Sequence, residues 1–327
     1  MRAIRALSPG GPEVLSFDEL PDPEPGPGQV VVRAAAAGVN FIDTYRRSGR
    51  YPVPFPHVVG AEGAGVVAAV GAGVTEVAVG DRVAWLDGTA GSYAELVVLD
   101  AARAVPVPAG VDLEAAAALM LQGVTAQYLV SSTAPVVEGQ DVLVHAGAGG
   151  VGLLLTQLAA ARGARVLSTV SSEEKAELSR AAGAAEVLRY DRLHDLATEL
   201  PAWVREHAPL GVHTVFDGVG AATFDASLAS LTTRGTLVLF GGSSGAVAPF
   251  DPMRLEHAGS VYLTRPSIRH HVETRTELVG RTDELFGLVA EGALDVRVGL
   301  RLPLGQAADA HRALESRATT GKVLLIP

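Results

Sequence analysis

From Asp141 onward the chain alternates short apolar runs with helix-forming stretches, and the first turn of that series reads Gly147-Ala148-Gly149-Gly150-Val151-Gly152. A strand, a G-x-G-x-x-G turn and a helix, in that order, leave few folds open. The first glycine permits a tight turn, the second lets backbone approach a pyrophosphate, and the third lets helix and strand pack closely. The helix start then offers free N–H groups to phosphate oxygens. The runs Asp141–His145, Ala164–Val170, Glu186–Arg189, His213–Asp217, Gly235–Phe240 and Ser260–Thr264 read as buried strands. Helical stretches separate them at roughly 150–162, 173–182, 192–207 and 222–231. Such alternation predicts an α/β domain with a doubly wound parallel sheet and a dinucleotide site.

The segment before it has another rhythm. Over the first ~120 residues, strand-like runs such as Gln29–Arg33, Gly65–Val70, Asp81–Leu86 and Ser92–Leu99 are separated by dense Gly and Pro punctuation. That pattern predicts a compact β-barrel-like domain. Near Asp112 it gives way to the Ala-rich helix Leu113-Glu-Ala-Ala-Ala-Ala-Leu-Met-Leu. After Pro266 come a helix (Thr274 to Ala290), a shorter one (Gln306 to Glu315) and a last strand, Lys322-Val-Leu-Leu-Ile.

Composition narrows the chemistry. With 327 residues, 48% of them hydrophobic, the chain has length for about two domains and a sizeable core. It contains no cysteine, which excludes a disulfide scaffold, a thiolate nucleophile and any Cys-ligated metal. A net charge of −10 disfavours phosphate backbones, so no nucleic-acid partner is expected. The N-terminus lacks the uncharged apolar stretch of a signal peptide. Val142 to Ala161 imitates a membrane span, but its four glycines read better as strand, turn and helix. The expectation is a soluble cytoplasmic protein without a membrane partner.

The end of the second strand discriminates between cofactors. An NAD site expects Asp or Glu about 20 residues after the glycines, bonding the ribose 2′-OH. Here Thr169-Val170-Ser171-Ser172 stands in that place, and Ser171-x-x-Glu174 reads as a capping box that occupies the nearby acid. Lys175 follows, and Tyr190 ends the next strand. Hydroxyls, an ammonium and a phenol suit a 2′-phosphate, which a carboxylate would repel, so NADPH is the expected cofactor.

With these residues on the page, the chain resembles the zinc-independent medium-chain dehydrogenase/reductases, in their NADPH:quinone oxidoreductase (zeta-crystallin-like) branch. The segments that carry the resemblance run in family order: Gly38–Pro52, Gly60–Val67, Val79–Val83, Gly123–Ala126, His145–Gly152, Phe240–Ala246, Thr264–Ser267 and Glu315–Lys322. The resemblance implies a GroES-like β-barrel catalytic domain (1–124 and 265–327), an inserted Rossmann NADPH-binding domain (125–264), a cofactor cleft between them and a homodimer. It places Asn40, Phe41, Tyr45 and Thr125 near the nicotinamide or its ribose, and Ala148, Gly149, Gly150 and Val151 along the pyrophosphate. Ser171, Lys175 and Tyr190 take the adenosine ribose and 2′-phosphate. Phe240, Gly241, Ser243, Ser244, Leu263, Thr264 and Arg265 line the nicotinamide side, and Arg317 reaches the cofactor from the C-terminal segment. Zinc-dependent relatives carry Gly-His-Glu where this chain has Gly60-Ala61-Glu62; His57, and His270-His271, leave a tetrahedral site short of ligands. Gly218 stands where close relatives often have Ser.

A metal-free site restricts the acceptor. Hydride addition to a simple ketone leaves an alkoxide of pKa roughly 16, whereas a quinone gives a phenolate-like anion of pKa roughly 10. Quinones or conjugated enones are therefore the expected acceptors, positioned in an apolar cleft. Asn40, Tyr45 and Tyr51 are the candidate catalytic residues, the tyrosines either hydrogen-bonding the substrate oxygen or packing. No Ser-His-Asp arrangement stands out. The alternatives are an NADPH-dependent alkenal or enone double-bond reductase, and a non-enzymatic NADPH-binding or RNA-binding crystallin-like protein.

Overall fold

The chain enters through β1 (Arg2–Ala6) and β2 (Leu15–Glu19), then crosses the first unit on β3 (Gln29–Val39). Eleven residues rich in Val and Ala make β3 long and buried on both faces. Val30, Val32 and Ala34 pack around Trp85, Val83 and Leu99, while Ala37 and Val39 pack with Ile4, Leu304, Val323 and Leu325. α1 (Phe41–Arg47) follows directly, then β4 (His57–Val58), β5 (Glu62–Val70), β6 (Arg82–Leu86), β7 (Leu96–Asp100), β8 (Ala104–Pro106), α2 (Leu113–Leu119) and α3 (Gln122–Tyr128). The computed structural model describes residues 1–86 and 91–327.

The inserted series is β9 (Asp141–His145), α4 (Gly150–Ala161), β10 (Arg165–Val170), α5 (Glu173–Ala181), β11 (Glu186–Arg189) and α6 (Leu196–His207). It continues with β12 (Val212–Asp217), α7 (Phe224–Ala229), β13 (Leu231–Leu239), α8 (Met253–His257) and β14 (Tyr262–Thr264). The chain then returns through α9 (Arg275–Ala290), β15 (Val298–Pro303), α10 (Ala307–Glu315) and β16 (Lys322–Ile326). Val142–Ala161, the stretch that imitates a membrane span, is β9, the glycine turn and α4. Among the described residues, no single helix is long and apolar enough to cross a membrane.

Two compact units result, Met1–Val124 with Val272–Pro327, and Thr125–His271. The first holds sheets ordered β2-β1-β4 and β15-β16-β3-β5-β6-β8, with β7 also paired to β3. β16 lies antiparallel to β3, so the C-terminal segment supplies a strand that the N-terminal segment lacks. The second holds six parallel strands ordered β11-β10-β9-β12-β13-β14. This is the doubly wound order in which the first strand lies beside a topological switch point. The return crossing falls at 271/272, where the sequence reading places it at 264/265. The physical reason is local: His271 stacks on Tyr128, with ring centroids 4.1 Å apart, and bonds Thr133 Oγ1 at 3.4 Å.

Candidate active site

Because every strand of the second unit is parallel, their carboxyl ends share one edge of the sheet. On that edge β9 delivers Ala148–Val151, β10 delivers Ser171, β11 delivers Tyr190, β13 delivers Phe240 to Ser244, and β14 delivers Thr264 and Arg265. Gly149 is the N-cap of α4 with Gly150 and Val151 in its first turn, so the glycine motif sits at the helix start. The glycines fit a cradle. A Cβ at Gly152 would overlap the Ala146 carbonyl oxygen, and one at Gly147 would overlap Ser168 Oγ. Ala146 itself takes φ 53°, a left-handed conformation that costs a β-carbon some strain and turns the chain sharply out of β9.

At the end of β10, Lys175 Nζ donates to Ser171 Oγ at 3.2 Å. Burial pulls the Lys175 ammonium below its usual range, and the Glu174 charge partly restores it. The helix cap differs from the expected Ser171-x-x-Glu174 box. Ser172 is the N-cap and accepts from the Lys175 N–H, because β10 continues through Val170 and α5 starts at Glu173. The Glu173 carboxylate is engaged outward by Arg180 and Arg189 at 3.2 and 3.1 Å.

Further along the edge, Arg265 Nη1 donates to the Leu239 and Gly241 carbonyls at 3.2 and 3.1 Å, tying β14 to the turn after β13. Ser243 N–H donates to the Gly218 carbonyl, and Ser244 Oγ donates to the Val219 carbonyl at 2.7 Å. Leu263 packs on the core beneath. Gly218 has its own reason: a Cβ there would stand 2.8 Å from the Phe240 ring, so this chain fills with Phe240 the space a serine side chain would need.

Beneath the cradle lies a polar network that sequence reasoning missed. Ser227 Oγ donates to Asp217 at 2.7 Å, which leaves His145 Nε2–H to donate to Ser227 and Nδ1 to accept from Thr169 Oγ1, both at 2.9 Å. Burial lowers the His145 pKa, keeping it neutral. Serine, histidine and aspartate do meet here, but Ser227 and Asp217 are fully buried and the aspartate orients the serine rather than the histidine. This pins the ends of β9, β10 and β12 and offers no nucleophile.

In the first unit, Asn40 caps α1 and is buried, Phe41 and Tyr45 lie on α1, and Tyr51 follows it. Tyr45 meets the Tyr51 ring edge-on at 5.4 Å and Phe41 at 6.2 Å, and the Arg50 guanidinium lies 4.3 Å from the Tyr45 ring centre. Arg317 is exposed, in the left-handed position that terminates α10, and Thr125 is buried on α3. His57 Nδ1–H donates to the Pro54 carbonyl at 3.0 Å, and the ring packs edge-on against Phe55. Among the described residues, no group of three His, Cys, Asp or Glu could hold a metal ion.

A second buried chain supports α1. Arg47 donates to His311 Nδ1 at 3.0 Å, so Nε2 carries the proton and donates to Tyr93 Oη at 3.2 Å, and Tyr93 donates to Asp43 at 3.1 Å. Asp43 also accepts the Asn40 N–H. Burial raises the Asp43 carboxyl to about 6, and burial beside Arg47 lowers His311 to about 3. The signs oppose. The stabilisation from neutral His311 is complete above its unfolded value and lost as pH falls from 6.5 toward 3. The carboxyl acts in reverse: its contribution is present below 3.8 and lost as pH rises through about 6. We expect His311→Gln to be less stable than the parent at pH 7, with the gap shrinking by roughly 3 to 5 kcal/mol on acidification toward pH 3, read from denaturation midpoints. A gap that is constant with pH would show that His311 is not held neutral.

A doubly wound parallel sheet with a glycine cradle, joined to a barrel unit completed by the chain's own C-terminus, defines a nucleotide-dependent dehydrogenase or reductase. Residues 26–109 match the family model described as alcohol dehydrogenase GroES-like domain, and residues 150–279 match the zinc-binding dehydrogenase model. A quinone oxidoreductase of Pseudomonas aeruginosa is 44% identical over 100% of this chain and 99% of its own. A mycobacterial protein solved in complex with NADPH superposes with TM-score 0.96 at 51% identity, and the Escherichia coli quinone oxidoreductase complexed with NADPH with TM-score 0.96 at 40%. Both structures are covered over their full length, as is this chain. The chain belongs to the medium-chain dehydrogenase/reductase family, in its quinone oxidoreductase branch.

Proposed function

We propose that the protein reduces quinones with NADPH and needs no metal to do so. The observation that carries the cofactor is the end of β10, where Ser171 and Lys175 stand together in the place an NAD site gives to a carboxylate. NADPH, when bound, supplies the hydride. The chain's residues do the rest. N–H groups at the start of α4, with Ala148 to Val151 around them, receive the pyrophosphate; Ser171, Lys175 and Tyr190 receive the 2′-phosphate end. Phe240, Gly241, Ser243, Ser244, Leu263, Thr264 and Arg265 line the nicotinamide side, and Thr125 and Arg317 complete the cofactor set. Phe41, Tyr45 and Tyr51 supply an aromatic wall for a planar ring. Asn40 acts through its position, since both ends of its buried amide are engaged within its own unit.

The absence of cysteine, and Ala61 in place of a histidine ligand, support metal independence. Protein treated exhaustively with a chelator is expected to retain its full NADPH-dependent turnover of 1,4-benzoquinone, followed by NADPH absorbance, and to outpace its own turnover of an α,β-unsaturated ketone. Activity lost with the metal and restored by zinc would refute the metal-free reading. Preference for the enone would move the assignment to double-bond reduction. A cytoplasmic homodimer belongs to the same proposal, supported by β14 at the open edge of its sheet with Tyr262 exposed there; light scattering tests it.

A further inference from the structure

Four buried polar side chains meet inside the first unit: Asn40 at the start of α1, Glu62 opening β5, Gln122 opening α3 and Lys322 opening β16. The Lys322 ammonium donates to Glu62 Oε1 and, at 2.8 Å, to Asn40 Oδ1. Asn40 Nδ2 donates to Glu62 Oε1 at 2.5 Å, and Gln122 Nε2 donates to Asn40 Oδ1 at 3.2 Å. The other Glu62 oxygen accepts the Leu121 N–H. The side chains of Glu62 and Lys322 are 0% and 2% exposed.

Stability does not explain such a pair, because apolar residues of equal volume often serve as well or better. A pair of opposite charges does something apolar residues cannot: it orients an amide. The Asn side chain has nearly the same outline when flipped, and only its surroundings distinguish oxygen from nitrogen. Here the ammonium faces the oxygen and the carboxylate faces the nitrogen. We propose that Glu62 and Lys322 are positioning residues: their ion pair holds the Asn40 amide in one orientation, and with it the start of α1, so that Phe41 and Tyr45 present a single surface to the acceptor. The catalytic half of this statement rests on the quinone reading; the structural half does not.

The test is the uncharged, near-isosteric double variant Glu62→Gln/Lys322→Met, in which Gln still accepts from Leu121. Amide exchange at Asn40, Asp43 and Thr44 is expected to quicken about 10-fold, with exchange in β9 to β13 and the dissociation constant for NADPH, read by fluorescence, both unchanged. Turnover of 1,4-benzoquinone is expected to drop about 10-fold with little change in KM for NADPH. Unchanged exchange in the first turn of α1 overturns the proposal, whatever the activity. Quickened exchange with full turnover overturns its catalytic half. A wild-type protein inert toward quinones would sink the quinone reading while the exchange result still decides the positioning role. Should the double variant fail to fold, Glu62→Gln alone is judged by the same exchange measurement.

Discussion

Lys175→Ala is expected to raise the KM for NADPH about 20-fold and to leave the KM for NADH within about twofold. The size follows from one charge-assisted hydrogen bond, about 1.5 to 3 kcal/mol, taken at its lower part because the site is partly open to solvent. The ammonium already reaches Ser171 at 3.2 Å, and burial, which pulls its pKa down, signals a place where a neighbouring dianion would be welcome. Glu173 does not oppose it, since that carboxylate is held by Arg180 and Arg189. Equal losses with both cofactors would mean that Lys175 serves only the fold of α5. Steady-state kinetics with the two nucleotides decides.

The acceptor should show the larger effect. 1,4-Benzoquinone is expected to turn over at least about a thousandfold faster than a simple ketone such as acetone. The two product anions differ by roughly 6 pKa units, worth up to about 8 kcal/mol, and only part of that is realised in the transition state. With neither cysteine nor a third His or carboxylate ligand at hand, nothing in the described residues offers the Lewis acid that would rescue an alkoxide. Tyr45→Phe and Tyr51→Phe ask whether a phenol helps. A tyrosine that donates to the quinone oxygen should cost about 10-fold in turnover when its hydroxyl is removed. Since the rings pack on one another, both variants keep the wall intact. Full turnover in both would leave packing and positioning as their whole role. A ketone reduced as fast as benzoquinone would defeat the acceptor assignment.

Much of this was legible along the chain, for reasons tied to distance in sequence. The cradle is six consecutive residues between a strand and a helix, and its chemistry is backbone chemistry, so glycine spacing alone reports it. The β/α rhythm from 141 to 264 predicts a parallel sheet, and parallel strands necessarily put their carboxyl ends on one edge. Helix boundaries were less legible. α6 starts at Leu196 rather than 192 because a turn at Tyr190–Arg192 intervenes, and the cap of α5 is Ser172 rather than Ser171 because the N-cap is the residue directly before Glu173. Neither feature changes the hydrophobic pattern.

What the sequence by itself determined is the local order: strand, glycine turn, helix, and the missing carboxylate after β10. Tertiary structure alone decided the partners of the buried polar groups. Lys322 looks like a stray charge at the head of an apolar strand until β16 pairs with β3 and sets it beside Glu62 and Asn40. Arg47, Tyr93 and His311 belong to three separate segments, and only packing turns them into one directed run of donors ending on Asp43. The physical reason is that a buried charge or hydrogen-bonding group has to find a partner wherever the fold places one. Periodicity reports which residues go inside, but it carries no information about which of them meet there.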